Sequence, residues 1–265
     1  MTRLLPLCHL SCLRVFLALL VLMALSPVQA RVPVVAAAAD LQFALPELAA
    51  TFHHETGHEV RLAFGSSGNF ARQIEQGAPF ELFLSADEAL VARLARADLT
   101  VDDGQLYGEG RLALFVAANS NISADTDLEG LATAVAAGQV RRFAIPNPAH
   151  APYGQRAEEL LRAKGLWEAL EPRLVLGENA AQAAQFALSG SVDAGISAWS
   201  LARAPGLAPA TRVILLPADD HAPLRQRMVL MKSAGPVARR FHAWLLGSQA
   251  RAVLARYGFE LPAQP

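Results

Sequence analysis

The sequence predicts an α/β fold of two lobes, each a mostly parallel sheet flanked by helices. Three observations predict it. Short apolar or β-branched runs alternate with amphipathic stretches along the 265-residue chain, the pattern of parallel strands joined by covering helices. The strands are too many to sit comfortably in one sheet, so two lobes joined by two strand crossings fit better. A hydrophobic content of 53% against 18% charged residues supports a large core and argues against disorder.

Residues 1–30 stand apart. Arg3 and Arg14 come early, no acidic residue is present, an apolar run follows from Val15 to Leu25, and Ser26-Pro27 leads to the small residues around Ala30. This is the layout of a cleaved secretory signal peptide, and the run is short for a membrane span, which needs about 20 residues. Cys8 and Cys12 both fall here. The mature chain would hold no cysteine, which excludes disulfides, thiol catalysis and cysteine-ligated metals. The net charge of −1 argues against a basic nucleic-acid face.

Beyond the leader, Val32 to Ala38 reads as a buried strand. Asp40 then stands where a helix N-cap belongs, and Leu41, Ala44, Leu45, Leu48 and Phe52 recur at helical spacing, with Pro46 expected to kink the helix or delay its regular part and Gly57 ending it. Val60–Phe64 is a strand. Phe70 and Ile74 form the next helical face, stopped by Gly77, and "PFELFLS" is a strand. Ser85 and Glu88 in "SADE" read as a capping box. A second block predicts strands at Arg111–Ala117, Phe143–Ile145, Leu174–Leu176 and "DAGIS", with helices over Leu128–Ala137, Tyr153–Lys164 and Ala180–Leu188. The strands "RVILLP" and "RMVLM" and two closing helices complete the chain. The crossings are expected near Arg111–Val116 and His221–Val229. Lobe 1 would then comprise residues 31–112 and 225–265, and lobe 2 residues 113–224.

Chemistry concentrates where a strand ends and a helix begins. Four such junctions are Ala39-Asp40, Ser66-Ser67-Gly68, Pro152-Tyr153-Gly154 and Asn179-Ala180. Ligands of open α/β sheets bind beyond the carboxyl ends of strands. Helix N-termini there offer free N–H groups and partial positive charge, so several converging termini hold an oxyanion without lysine or arginine. Each junction taken alone reads as an ordinary helix start.

The stretches "VVAAAADLQFALPELAATF", "FGSSGNFARQIEQGAPFELFLSAD", "NPAHAPYG" and "SQARAVLARYGFELP" closely resemble the periplasmic molybdate-binding proteins of ABC importers. The likeness runs in the same order over essentially the whole mature chain. It implies the type II periplasmic-binding fold and a periplasmic receptor, monomeric and not an enzyme. Such a receptor has no cofactor; it clamps molybdate or tungstate between its lobes with neutral donors and delivers it to an inner-membrane permease. Carried over, Ser67 gives hydroxyl and N–H, Ala39 and Asp40 form the first junction, Tyr153 gives its phenol and Ala180 its N–H. Ser66, Gly68, Asn179 and Ala198 are secondary candidates; Ala198 stands where other members carry a binding tyrosine. No cation-binding metal site is implied.

Asp40 departs from the resemblance, since the family usually has serine or asparagine there. At about 4 Å and an effective dielectric near 20, each pair of unit charges costs about 4 kcal/mol. Either the carboxylate caps its own helix and leaves only its N–H for the anion, or the ligand brings a proton, as monohydrogen phosphate would. Its N-cap preference favours the first. Phosphate or sulfate on the same fold is the alternative ligand, and a secreted serine hydrolase the alternative class. "HETGH", His54 to His58, matches the zinc-protease pattern, but Gly57 should end the helix before His58. Arg141-Arg142 and Arg239-Arg240 read as solvated edges, and Trp244-Leu245 as core.

Overall fold

The computed structural model describes residues 32–204 and 212–263. The signal-peptide expectation and both cysteines lie outside these residues. No helix among the described residues is long and apolar enough to cross a membrane.

The chain opens with β1 (Val34–Ala38), a 3-10 turn (Ala39–Leu41), α1 (Ala44–Thr56), β2 (Arg61–Gly65), α2 (Ser67–Glu75), β3 (Leu82–Ser85), α3 (Glu88–Arg96) and β4 (Gln105–Gly110). There follow β5 (Leu112–Val116), α4 (Glu129–Ala136), β6 (Phe143–Pro146), α5 (Pro152–Ala163), a short α6 (Trp167–Leu170), β7 (Leu174–Gly177), α7 (Ala180–Leu188), β8 (Ala194–Ala198), a short α8 (Trp199–Ala202) and β9 (Arg212–Leu215). It closes with β10 (Leu224–Leu230), α9 (Pro236–Leu245) and α10 (Ser248–Arg256).

Two five-stranded sheets result, ordered β2-β1-β3-β10-β4 and β7-β6-β8-β5-β9. Each is mixed. The parallel pairs are β1 with β2 and β3, and β6 with β7 and β8. The antiparallel pairs all involve β10 or β5, the strands that enter a sheet from the other one. Only Arg111 separates β4 from β5, and residues 216–223 carry the chain back to β10. The two passages are tied together, since the Arg111 guanidinium donates to Leu216 O at 2.8 Å.

Period-2 alternation sorts the first sheet onto two cores. Val35, Ala37, Leu82, Leu84, Met228 and Leu230 pack against α1, α9 and α10 through Leu45, Phe52, Phe241 and Leu254. Ala36, Phe83 and Val229 point the other way, onto Phe70 and Ile74 of α2 and Val91 and Leu94 of α3. The second sheet is wrapped by one larger core that includes Leu131, Leu160, Leu161 and Ala184. Trp244 and Leu245 pack into the first core, as expected.

Two local expectations fail. The Ser85–Glu88 capping box does not form. Asp87 is the N-cap of α3, accepting from Ala89 N at 2.8 Å, while Ser85 Oγ donates to Asp87 O. Glu88 is drawn away by Arg225 and Arg227 of β10. Strand β4, "QLYGEG", is additional to the strands expected from the sequence, since its two glycines and polar residues give no apolar alternation. It lies at the sheet edge and pairs with β10 through a bulge at Gln226/Arg227, where such residues are tolerated. Pro46 sits in the first turn of α1 and breaks no helical bond.

Phe52 is fully buried, with its ring 4.9 Å from Phe241 and 5.8 Å from Trp244. Phe52→Ala should therefore cost about 3–5 kcal/mol, read as a lower midpoint in urea unfolding with an unchanged slope.

Candidate functional site

All four predicted junctions contribute to one cleft between the sheets. Ala39, Asp40, Ser66, Ser67, Tyr153 and Ala180 line it, joined by Ala38, Gly65, Ala86, Ala151 and Pro152. The cleft encloses about 200 Å³ of non-atom space, part of it open to solvent. The starts of α2, α5 and α7 meet there, and the first N–H groups of each helix have no intrahelical acceptor. No lysine or arginine is among the lining residues.

Ser67 opens α2 and is buried. Its Oγ accepts from Ala86 N at 3.0 Å, and among the described residues nothing receives its proton. The hydroxyl is thereby aimed as a donor. Ser66 has a different role. Its Oγ donates to His150 O, and Gly68 N donates to the same oxygen at 3.0 Å. These bonds clip α2 to the loop before α5. A Cβ on residue 68 would sit 2.5 Å from that oxygen, so the close approach requires glycine.

The secondary candidates other than Ser66 do not reach the cleft wall. Gly68 spends its N–H on His150. Asn179 caps α7, accepting from Gln182 N at 3.1 Å. Ala198 is the last residue of β8, fully buried against Leu112 of β5. Ser197 beside it donates to Ala180 O at 2.7 Å and so holds the start of α7 in place.

Asp40 corrects the sequence reading most. It does not cap a helix. It lies within the 3-10 turn, α1 begins only at Ala44, and neither element has a side-chain cap. Instead Oδ2 accepts from Tyr153 Oη at 2.9 Å and from Gln226 Nε2 at 2.6 Å. Gln226 Oε1 accepts from Tyr107 Oη at 2.6 Å, and Asp40 O accepts from Ser200 Oγ at 2.8 Å. Donors from α5 and β10 hold the Asp40 side chain, and Ser200 of α8 holds its main-chain oxygen. The Tyr153 phenol, expected to point at a ligand, donates to this carboxylate. Oδ1 is buried with no partner. Gly110 makes room for the cluster, since a Cβ there would lie 2.1 Å from Tyr153 Oη.

Burial pushes the Asp40 carboxyl up from 3.8 to about 6, against Gln226, Tyr153 and the nearby backbone N–H groups of Asp40 and Leu41, which favour its charge. Burial first, then the Asp40 charge, raises Tyr107 and Tyr153 well above 10, so both are neutral phenols.

Hydrolase chemistry finds only a superficial match. Ser66 Oγ lies 2.9 Å from His150 Nδ1, and His150 Nε2 lies 3.7 Å from Glu178. The Ser66 proton goes to His150 O, so the imidazole meets the hydroxyl as a donor rather than as a base. The zinc pattern also dissolves, because α1 ends at Thr56 and Gly57 turns left-handed at φ 71°. His58 then faces Arg240 at 3.0 Å. Among the described residues no three histidine, cysteine, aspartate or glutamate side chains group as a metal site.

Two sheets linked by two passages, with helix N-termini from both meeting over a small cleft, define a two-lobed solute-binding protein. The chain belongs to the bacterial extracellular solute-binding protein family, which residues 33–260 match; it is a binding protein and not an enzyme. It is 34% identical to the molybdate-binding protein ModA of Rhodobacter capsulatus over 238 residues, covering 88% of this chain and 90% of the relative. Identity to ModA of Azotobacter vinelandii is 33%, over 86% and 89% of the two chains. The solved periplasmic molybdate-binding protein of Azotobacter vinelandii superposes with a TM-score of 0.79 at 30% identity, covering 87% of this chain and all of that one.

The Asp40 environment predicts a pH effect on stability. A raised carboxyl pKa means that the folded protein retains a proton that the unfolded chain has released. Its contribution is fully present below pH 3.8 and is lost as pH rises through about 6. That interval is worth about 3 kcal/mol. Urea unfolding between pH 4 and 7 should show wild type losing up to about this much relative to Asp40→Asn.

Proposed function

We propose that this protein captures molybdate or tungstate in the cleft and presents it to the permease of an ABC importer in the periplasm. The observation that carries the reading is the Ser67 hydroxyl. Its Oγ accepts from Ala86 N, and its own proton is left to donate to a ligand. That donor sits at the start of α2, opposite the starts of α5 and α7 on the other sheet. A cleft of neutral donors suits an anion fully ionised at neutral pH, while an anion with its own O–H would leave that proton unpaired among them. Relatives named molybdate-binding proteins cover most of the chain.

Ala39, Ser67, Tyr153 and Ala180 would surround the anion, with Asp40 at its side. Residues 31–112 with 225–265 would move against residues 113–224, hinged where the chain passes between sheets. The Ser66–His150 and Gly68–His150 bonds are the contacts that closure would form.

Titration calorimetry with molybdate, tungstate, sulfate and phosphate tests this. One molybdate or tungstate should bind per chain with sub-micromolar affinity, and sulfate and phosphate far more weakly. Ser67→Ala should weaken binding roughly 10- to 100-fold, the effect of a lost hydrogen bond to a charged ligand. If neither metal oxyanion binds at micromolar concentration, the reading fails. Preference for phosphate would transfer the site to the protonated anion, with Asp40 as the acceptor of its proton.

A further inference from the structure

We propose, resting on the oxyanion reading above, that anion capture by this protein is coupled to uptake of one proton by Asp40, whose Oδ1–H then becomes a donor to the bound anion. The geometry carries it. Asp40 lines the cleft and is only 2% exposed. Its Oδ2 is fully engaged by Tyr153 and Gln226. Oδ1 is the oxygen left over, buried with no hydrogen-bond partner. A bare carboxylate oxygen can only accept, and a dianion has nothing to donate. One proton on Oδ1 removes the repulsion and supplies a hydrogen bond in the same step, while both bonds to Oδ2 stay intact.

The proton comes from solvent. The carboxylate becomes a carboxylic acid, and no bond within the anion is made or broken. The surroundings leave Asp40 as the group that titrates. From α5 and β4 it meets the Tyr153 and Tyr107 phenols, both held neutral. From β10 it meets the uncharged Gln226 amide, and from α8 the Ser200 hydroxyl on its main-chain oxygen. At the start of α2 stand Ser66 and Ser67. None of its hydrogen-bond partners is cationic. His150, on the loop before α5, lies beside Ser66, with Glu178 3.7 Å from its ring. Burial already raises the Asp40 carboxyl to about 6, and a neighbouring dianion raises it further.

Linkage gives the sign. Above about pH 6 the free protein has lost the proton that the complex holds, so molybdate affinity should fall about tenfold per pH unit between pH 7 and 8. Below pH 6 affinity should level off. Calorimetry with molybdate at pH 8 in HEPES and in Tris, which differ in heat of ionisation, should report about one proton taken up per anion. Asp40→Asn, or Asp40→Ser should the first variant fold poorly, should bind without uptake, with affinity constant within about twofold from pH 7 to 8 and tighter than wild type at pH 8. Wild-type binding without proton uptake overturns the coupling and leaves the oxyanion reading standing. Uptake that persists in the Asp40 variants but disappears in His150→Gln also overturns it. Absence of molybdate and tungstate binding at every pH overturns the oxyanion reading, and the coupling with it.

Discussion

A buried carboxylate organises the centre of this protein. Asp40 sits at the end of β1, and its oxygens are met from α5, α8 and β10, with Tyr107 of β4 behind Gln226. Burying such a group is costly unless it is hydrogen-bonded or neutralised. Tyr153 and Gln226 meet that requirement at Oδ2. Gln226 uses both ends of its amide, and Gly110 leaves the space that a side chain would deny. Because the partners come from both sheets, satisfying Asp40 also sets how the sheets face one another across the cleft.

The remainder of the site follows from helix ends rather than from charge. The starts of α2, α5 and α7 line one small space, and a second layer of contacts holds them. Ala86 N orients the Ser67 hydroxyl, the His150 carbonyl gathers Ser66 and Gly68, and Ser197 holds Ala180. Lysine or arginine would attract anions of any shape. Oriented neutral donors instead respond to size and protonation, which is what a selective receptor needs.

Much of this was legible in the sequence, for reasons that can be named. The alternation of strands and helices follows from local periodicity, and α7 spans the predicted Ala180–Leu188. The four strand-to-helix junctions were readable because the ligand side of an α/β sheet is set by topology. Short elements were not: α6 and α8 are one turn each, too brief for a periodic signal. The "SADE" box failed because a side chain chooses among all donors and acceptors within reach. Arg225 and Arg227, far along the chain, claim Glu88.

The sequence by itself determined the fold class, the four junctions that meet at the cleft, and the absence of a cation from its wall, since these rest on spacing and residue type. Tertiary structure alone decided what Asp40 does. Its partners lie 113 and 186 residues away, and no local pattern encodes them. Its propensity to cap a helix is worth about 1 kcal/mol. Burial beside a phenol and an amide outweighs that preference, because desolvation depends on everything that surrounds a group and not on its neighbours in the chain.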